Sequence, residues 1–143
     1  DITNYNNYKY CHNRGIGVSL HKILFEWDIM PKYRVPKEVS AIARKALEYN
    51  RSLPPSRRAA QKVLKDGSRV EGTGIRTAKR LISGSIDADQ MILMRAWFAR
   101  HGESPLESKK RKDKTSKAAI AWALWGGNPA RTFVSKKLKE LGL

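Results

Sequence analysis

Two stretches of this chain are apolar on nearly every face of a helix, and each must lie near the centre of whatever fold forms. Asp87 to Gln90 has capping-box spacing, and the helix it opens carries Met91, Ile92, Leu93, Met94, Ala96, Trp97, Phe98 and Ala99. Ala118 to Trp125 is the second stretch and ends at Gly126-Gly127. An amphipathic helix can rest on a surface, but one that is apolar all round needs neighbours on every side. With 143 residues, 41% of them hydrophobic, the chain has enough apolar side chains for one such core. The reading is therefore a single compact domain in which further helices pack around these two.

Those further helices are bracketed by start and stop residues. Pro36 opens a helix whose stripe is Val39, Ile42, Ala43, Ala46 and Leu47, with Lys37, Arg44, Lys45 and Glu48 opposite. Leu53-Pro54-Pro55 ends it, and Ser56 can cap a short helix carrying Ala59, Ala60, Val63 and Leu64, stopped near Gly67. After a turn-rich link from Asp66 to Gly74, Thr73 can cap a helix with Ile75, Ala78 and Ile82 inward, closed by Gly84. Asn128-Pro129 supplies cap and first position for a last helix that turns Ala130, Phe133, Val134, Leu138 and Leu141 inward. Residues 1 to 35 are rich in Asn and Tyr and read as an arm, with a helix or strand over Ser19 to Asp28. The predicted fold class is all-α: a single compact domain of about six helices, residues 36 to 143, behind a less regular N-terminal arm.

Charge then narrows the function. Lys and Arg number 29 against 13 Asp and Glu, a net charge of +16. Self-repulsion of this size in a folded domain points to a polyanionic partner. The excess is uneven: residues 36 to 72 hold nine basic and four acidic groups, and residues 104 to 143 hold ten and three. Groups suited to catalysis are sparse. Cys11, His12, His21 and His101 match no familiar metal-ligand spacing, and three scattered histidines nominate no nucleophile–base pair. Asp87 and Asp89 are the nearest approach to a carboxylate pair, and they read as helix N-terminal acids. The sequence thus predicts a non-enzymatic domain with no cofactor. It contains no apolar run of transmembrane length, no membrane partner is predicted, and an opening at Asp1 reads as a processed product or a piece of a longer polypeptide.

Three basic features are candidate phosphate contacts. In Gly72-Thr73-Gly74-Ile75-Arg76-Thr77-Ala78-Lys79-Arg80, glycines lie at a helix start while Arg76, Lys79 and Arg80 share a face, which suits either a fixed phosphate site or a turn with a solvated basic face. The run Lys109, Lys110, Arg111, Lys112 and Lys114 reads as a loop for diffuse phosphate contact. The last two helices have helix-turn-helix spacing, in which Arg131, Lys136 and Lys139 would line the docking helix, although ordinary helix packing shares that spacing. An analogous reading of Thr73–Gly84 with Asp87–Arg100 is rejected, because Asp87 and Asp89 would face phosphates. Trp97, Phe98, Trp122 and Trp125 read as core.

Four blocks carry a resemblance: Ala43-Arg44-Lys45-Ala46-Leu47, Thr77 to Gly84, Met94 to His101, and Ser116 to Gly127 with its Ile120-Ala121-Trp122-Ala123-Leu124-Trp125-Gly126-Gly127 core. Together, over Val39 to Val134, they resemble a helical module of tailed-bacteriophage head-morphogenesis and virion-associated proteins. The resemblance implies a virion or host-cytoplasm setting and assigns no catalytic residue. Asn128 departs from the acidic residue of that pattern, and the connector after His101 is richer in lysine. The expectation is a nucleic-acid-binding module, with DNA ahead of RNA. A structural protein docking on an acidic phage or host protein, an RNA-binding accessory subunit and a nuclease-type enzyme are the alternatives.

Overall fold

The computed structural model describes residues 30–143. The element predicted over Ser19 to Asp28, and most of the N-terminal arm, lie outside the described residues. Helix α1 (Lys37–Ser52) buries Val39, Ala43, Ala46, Leu47 and Asn50, the i, i+4, i+7, i+8, i+11 stripe of a helix with one dry face. Helix α2 (Thr73–Ser83) buries Ile75, Ala78 and Leu81 and packs on α1. Gly84 ends α2 in the left-handed region, at φ 97°.

Helix α3 (Ala88–Gly102) starts where the Asp87 carboxylate accepts the Gln90 amide at 2.8 Å. A six-residue helix, α4 (Pro105–Lys110), follows, and then α5 (Lys117–Leu124), which is capped by the Ser116 hydroxyl accepting the Ala119 amide. Helix α6 (Gly127–Glu140) closes the chain. α5 packs against α1 and α2, while α6 lies on α3 and α1. The core runs between them, with Leu81, Met91, Met94, Phe98, Leu124, Val134 and Leu138 all but fully buried. Gly126 forms the α5–α6 corner at φ 100°, and a Cβ there would lie 2.5 Å from Ala130 Cβ and 2.8 Å from Val39 Cγ1. Only glycine permits that backbone and that proximity.

Four parts of the sequence reading change. The domain is mostly helical but not all-α, since two small antiparallel sheets are present. Strand β1 (Lys32–Arg34) pairs with β4 (Ser85–Asp87) through Tyr33↔Ile86, fixing the chain before α1 onto the α2–α3 junction. The helix predicted from Ser56 to Gly67 does not form. Instead a 3-10 turn (Pro55–Arg57) leads into a hairpin of β2 (Gln61–Val63) and β3 (Arg69–Glu71).

The reason lies in two local contacts. Asp66-Gly67 is the hairpin's turn and not a helix stop: Gly67 takes φ 84°, and Asp66 accepts the amide of Ser68 at 2.9 Å and its hydroxyl at 2.6 Å. Buried Asn50 then holds both backbone groups of Ala59, accepting its N–H at 2.8 Å and donating to its carbonyl at 3.2 Å. Those groups are thereby taken from any helix. Six α-helices remain among the described residues because α4 forms where a loop was predicted. The last helix begins at Gly127, ahead of Pro129, and Asn128 accepts from the Trp122 indole N–H at 2.9 Å instead of capping.

Candidate nucleic-acid interface

Helix α3 is dry on one side only. Its other side carries Leu93, 41% exposed, and half-buried Trp97, and these face a groove shared with the starts of α2 and α5 and with α4. The groove has a volume of about 720 Å³. Its apolar wall is a set of packed indoles: Trp97 stacks on Trp125 with ring centroids 4.6 Å apart and planes 9° apart, and Trp122 meets Phe98 edge-on at 4.9 Å. Trp122 and Trp125 are buried, as core residues should be, yet both also line the groove.

Among the described residues five cations line the same space, Arg58, Arg100, Lys110, Arg111 and Lys117, against the single carboxylate of Glu107. Glu107 is engaged by His101 Nδ1 at 2.7 Å. Arg111 lies with its guanidinium carbon 4.0 Å over the Trp122 ring and donates to the His101 carbonyl at 3.0 Å, so its position is fixed. Arg58 is held by the carbonyls of Leu53 at 2.7 Å and Arg51 at 3.0 Å. Arg100, Lys110 and Lys117 have no acidic partner among the described residues. Thr73 and Gly74, in the first turn of α2, and Lys117 and Ala118, in the first turn of α5, also line it. Backbone amides in a first helical turn lack intrahelical partners and favour anions.

The predicted site residues fall into three places. Of the lysine-rich run, only Lys110 and Arg111 line the groove. Lys109, on α4, and Lys112 and Lys114, in the turns that follow, are exposed elsewhere. The run is not an open loop, because backbone hydrogen bonds continue from Arg111 N–H to Glu107 (2.9 Å) through Ser116 N–H to Asp113 (3.1 Å). Inside it Asp113 accepts the Thr115 hydroxyl at 2.7 Å and amide at 2.9 Å, and these bonds hold its carboxyl below the usual carboxylate range.

On α2, Lys79 pairs with Glu71 at 2.6 Å, Arg76 reaches Thr73 Oγ1 at 3.3 Å, and Arg80 donates to the Gln90 side chain. Gly72 is explained by packing: its N–H bonds the Ala60 carbonyl at 2.7 Å, and a Cβ on it would lie 2.6 Å from that oxygen. Gly74 likewise admits Ala60 and the Trp125 indole edge. On α6, Lys136 and Lys139 point outward, but Arg131 folds back over Gly102 towards Glu103, at 3.7 Å.

The sequence reading missed Arg58, Arg100 and Lys117 as groove residues. One signal was available. Arg100 follows Trp97 by three residues and Lys117 precedes Ala121 by four, so each cation shares a helical face with a groove-lining residue. Among the described residues no three His, Cys, Asp or Glu side chains converge as metal ligands, and no helix is long and apolar enough to cross a membrane. No family model, curated protein or solved structure matches the chain. The phage-module resemblance therefore stands on its four sequence blocks alone.

Proposed function

We propose that this domain is a non-enzymatic nucleic-acid-binding module, of DNA before RNA, belonging to a phage virion or DNA-handling protein. The observation that carries the reading is the convergence of five cations on one groove whose only carboxylate among the described residues, Glu107, is already engaged. Taking Arg100, Lys110 and Lys117 together costs Coulomb repulsion in the free protein, and a polyanion relieves it. Around the groove, Lys109, Lys112, Lys114, Lys136 and Lys139 are exposed and extend the positive surface. Such cations contact phosphates without reading sequence, so binding is mainly non-specific and salt-dependent. The Lys79–Glu71 pair is half exposed and worth roughly 0–1 kcal/mol, so a phosphate can displace it.

Competition at matched salt tests this directly. A labelled duplex of about two helical turns is bound first, and unlabelled duplex, structured RNA and a poly-glutamate peptide are added in turn. Displacement by duplex at the lowest concentration is the expected result. Displacement by poly-glutamate first would replace this reading with docking on an acidic protein.

A further inference from the structure

We infer that the groove between α2, α3, α4 and α5 takes an unpaired nucleotide of a single strand, with its base against the tryptophan wall and its phosphates on the cations. This rests on the nucleic-acid reading above and names the substrate form that the groove fits. Three observations carry it. The first is size: about 720 Å³ lies within the roughly 300–1,000 Å³ range of ligand pockets, the scale of one nucleotide and not of a duplex.

The second is the chemistry of the wall. Exposed Leu93 and half-buried Trp97, whose ring already meets Trp125 at 4.6 Å and His101 at 4.4 Å, present apolar and aromatic surface beside the five cations. A phosphate-binding groove has no use for such a wall, whereas a base offers a π-face to it. Trp125, 3% exposed, also lines the groove, with its indole N–H edge against the first turn of α2 at Gly74.

The third is the arrangement of charge. Arg100, on α3, lies on the same helix as Trp97, while Lys110 and Arg111 come from α4 and its end, and Lys117 from the start of α5. The cations thus arrive from separate elements around one aromatic wall. That pattern suits a phosphate on either side of a base. An acidic peptide would satisfy the cations and leave the wall without a partner. In a base-paired duplex the π-faces are stacked inside and cannot reach the wall.

The test uses the full chain with four probes: a 12-nucleotide oligo-dT strand, a duplex of the same length, thymidine monophosphate and a poly-glutamate peptide. Binding is followed by the indole N–H resonances of Trp97 and Trp125, assigned from single Trp→Phe variants, and by anisotropy of labelled oligonucleotide. The strand should shift both resonances and the duplex should not. In Trp97→Leu, shown to be folded by circular dichroism, the preference for strand over duplex should fall about tenfold, the scale of one lost base–aromatic stack. If Trp97→Leu does not fold, the resonance shifts in the natural chain decide alone.

Strand binding that leaves both resonances unmoved, or a strand-to-duplex preference that survives Trp97→Leu, would overturn the groove assignment while leaving nucleic-acid binding in place. Monophosphate binding as tight as the strand would assign the groove to free nucleotides instead, and poly-glutamate moving the same resonances would assign it to acidic peptides. Absence of binding to strand and duplex alike would remove both readings.

Discussion

Gly126 and Gly84 have nearly the same backbone, φ 100° with ψ 2° and φ 97° with ψ −9°, and entirely different surroundings. A Cβ at Gly84 meets nothing within 4 Å. At Gly126 it would meet Ala130 Cβ at 2.5 Å, Val39 Cγ1 at 2.8 Å and Leu81 Cδ1 at 3.2 Å, three atoms of the core from α6, α1 and α2. Substitution by alanine therefore carries the same conformational penalty at both sites, about 1–2 kcal/mol for a side chain at positive φ. Gly126→Ala adds overpacking of a closed core, about 1–3 kcal/mol.

The expected losses are about 1–2 kcal/mol for Gly84→Ala and about 2–5 kcal/mol for Gly126→Ala. Urea unfolding followed by circular dichroism measures both. With a slope of roughly 1–3 kcal/mol per molar, the Gly126→Ala midpoint should lie on the order of 1 M below that of Gly84→Ala, with slopes unchanged. Equal midpoints would refute the claim that the α5–α6 corner is pressed against α1 and α2.

Further outcomes follow from single contacts. Asn50→Ala leaves the buried N–H and C=O of Ala59 without partners and should cost about 2–4 kcal/mol, read by urea unfolding, with faster amide exchange at Ala59 as the local signature. Ser116→Ala removes the cap of α5 and should cost about 0.5–2 kcal/mol in the same assay. Asp66 and Asp113 should titrate by NMR below the usual 3.8, held down by the hydroxyl and amide of Ser68 and of Thr115. Because the folded values are lowered, the stabilisation these bonds give is present above 3.8 and is lost as the pH falls through the folded values. Ser68→Ala and Thr115→Ala should each return the neighbouring carboxyl towards 3.8, and no change would discount the hydroxyl as the main cause.

Where periodicity and a cap agreed, the sequence was a reliable guide. The stripe from Val39 to Leu47 and the Asp87 cap ahead of Met91 and Met94 appear in the fold as read, because each is a local pattern that burial reinforces. The stretch from Ser56 to Gly67 failed for a long-range reason: Asn50, nine residues before Ala59, takes its backbone groups, and no local propensity reports that bond. Ala59, Ala60, Val63 and Leu64 suit a helix stripe, but Val63 is 60% exposed in the hairpin.

The groove was hidden for a related reason. Treating α3 as apolar all round places it wholly inside, whereas Leu93 and Trp97 border a groove shared with α4 and the first turns of α2 and α5. Arg58, Arg100 and Lys117 lie outside the conspicuous run at Lys109 to Lys114, which itself contributes only Lys110 and Arg111. Clustering along the chain and clustering in space are different quantities here.

The affinity of the domain for an oligo-dT strand, measured from low to moderate salt, tests the central claim most directly. If all five groove cations neutralise phosphates, the logarithm of the binding constant should fall with the logarithm of salt concentration at a slope of about −3.5, from roughly 0.7 per phosphate neutralised. Replacing Lys110 and Lys117 together by glutamine should reduce that slope by about 1.4. A flat salt dependence, or a slope that the double replacement leaves unchanged, would contradict the account.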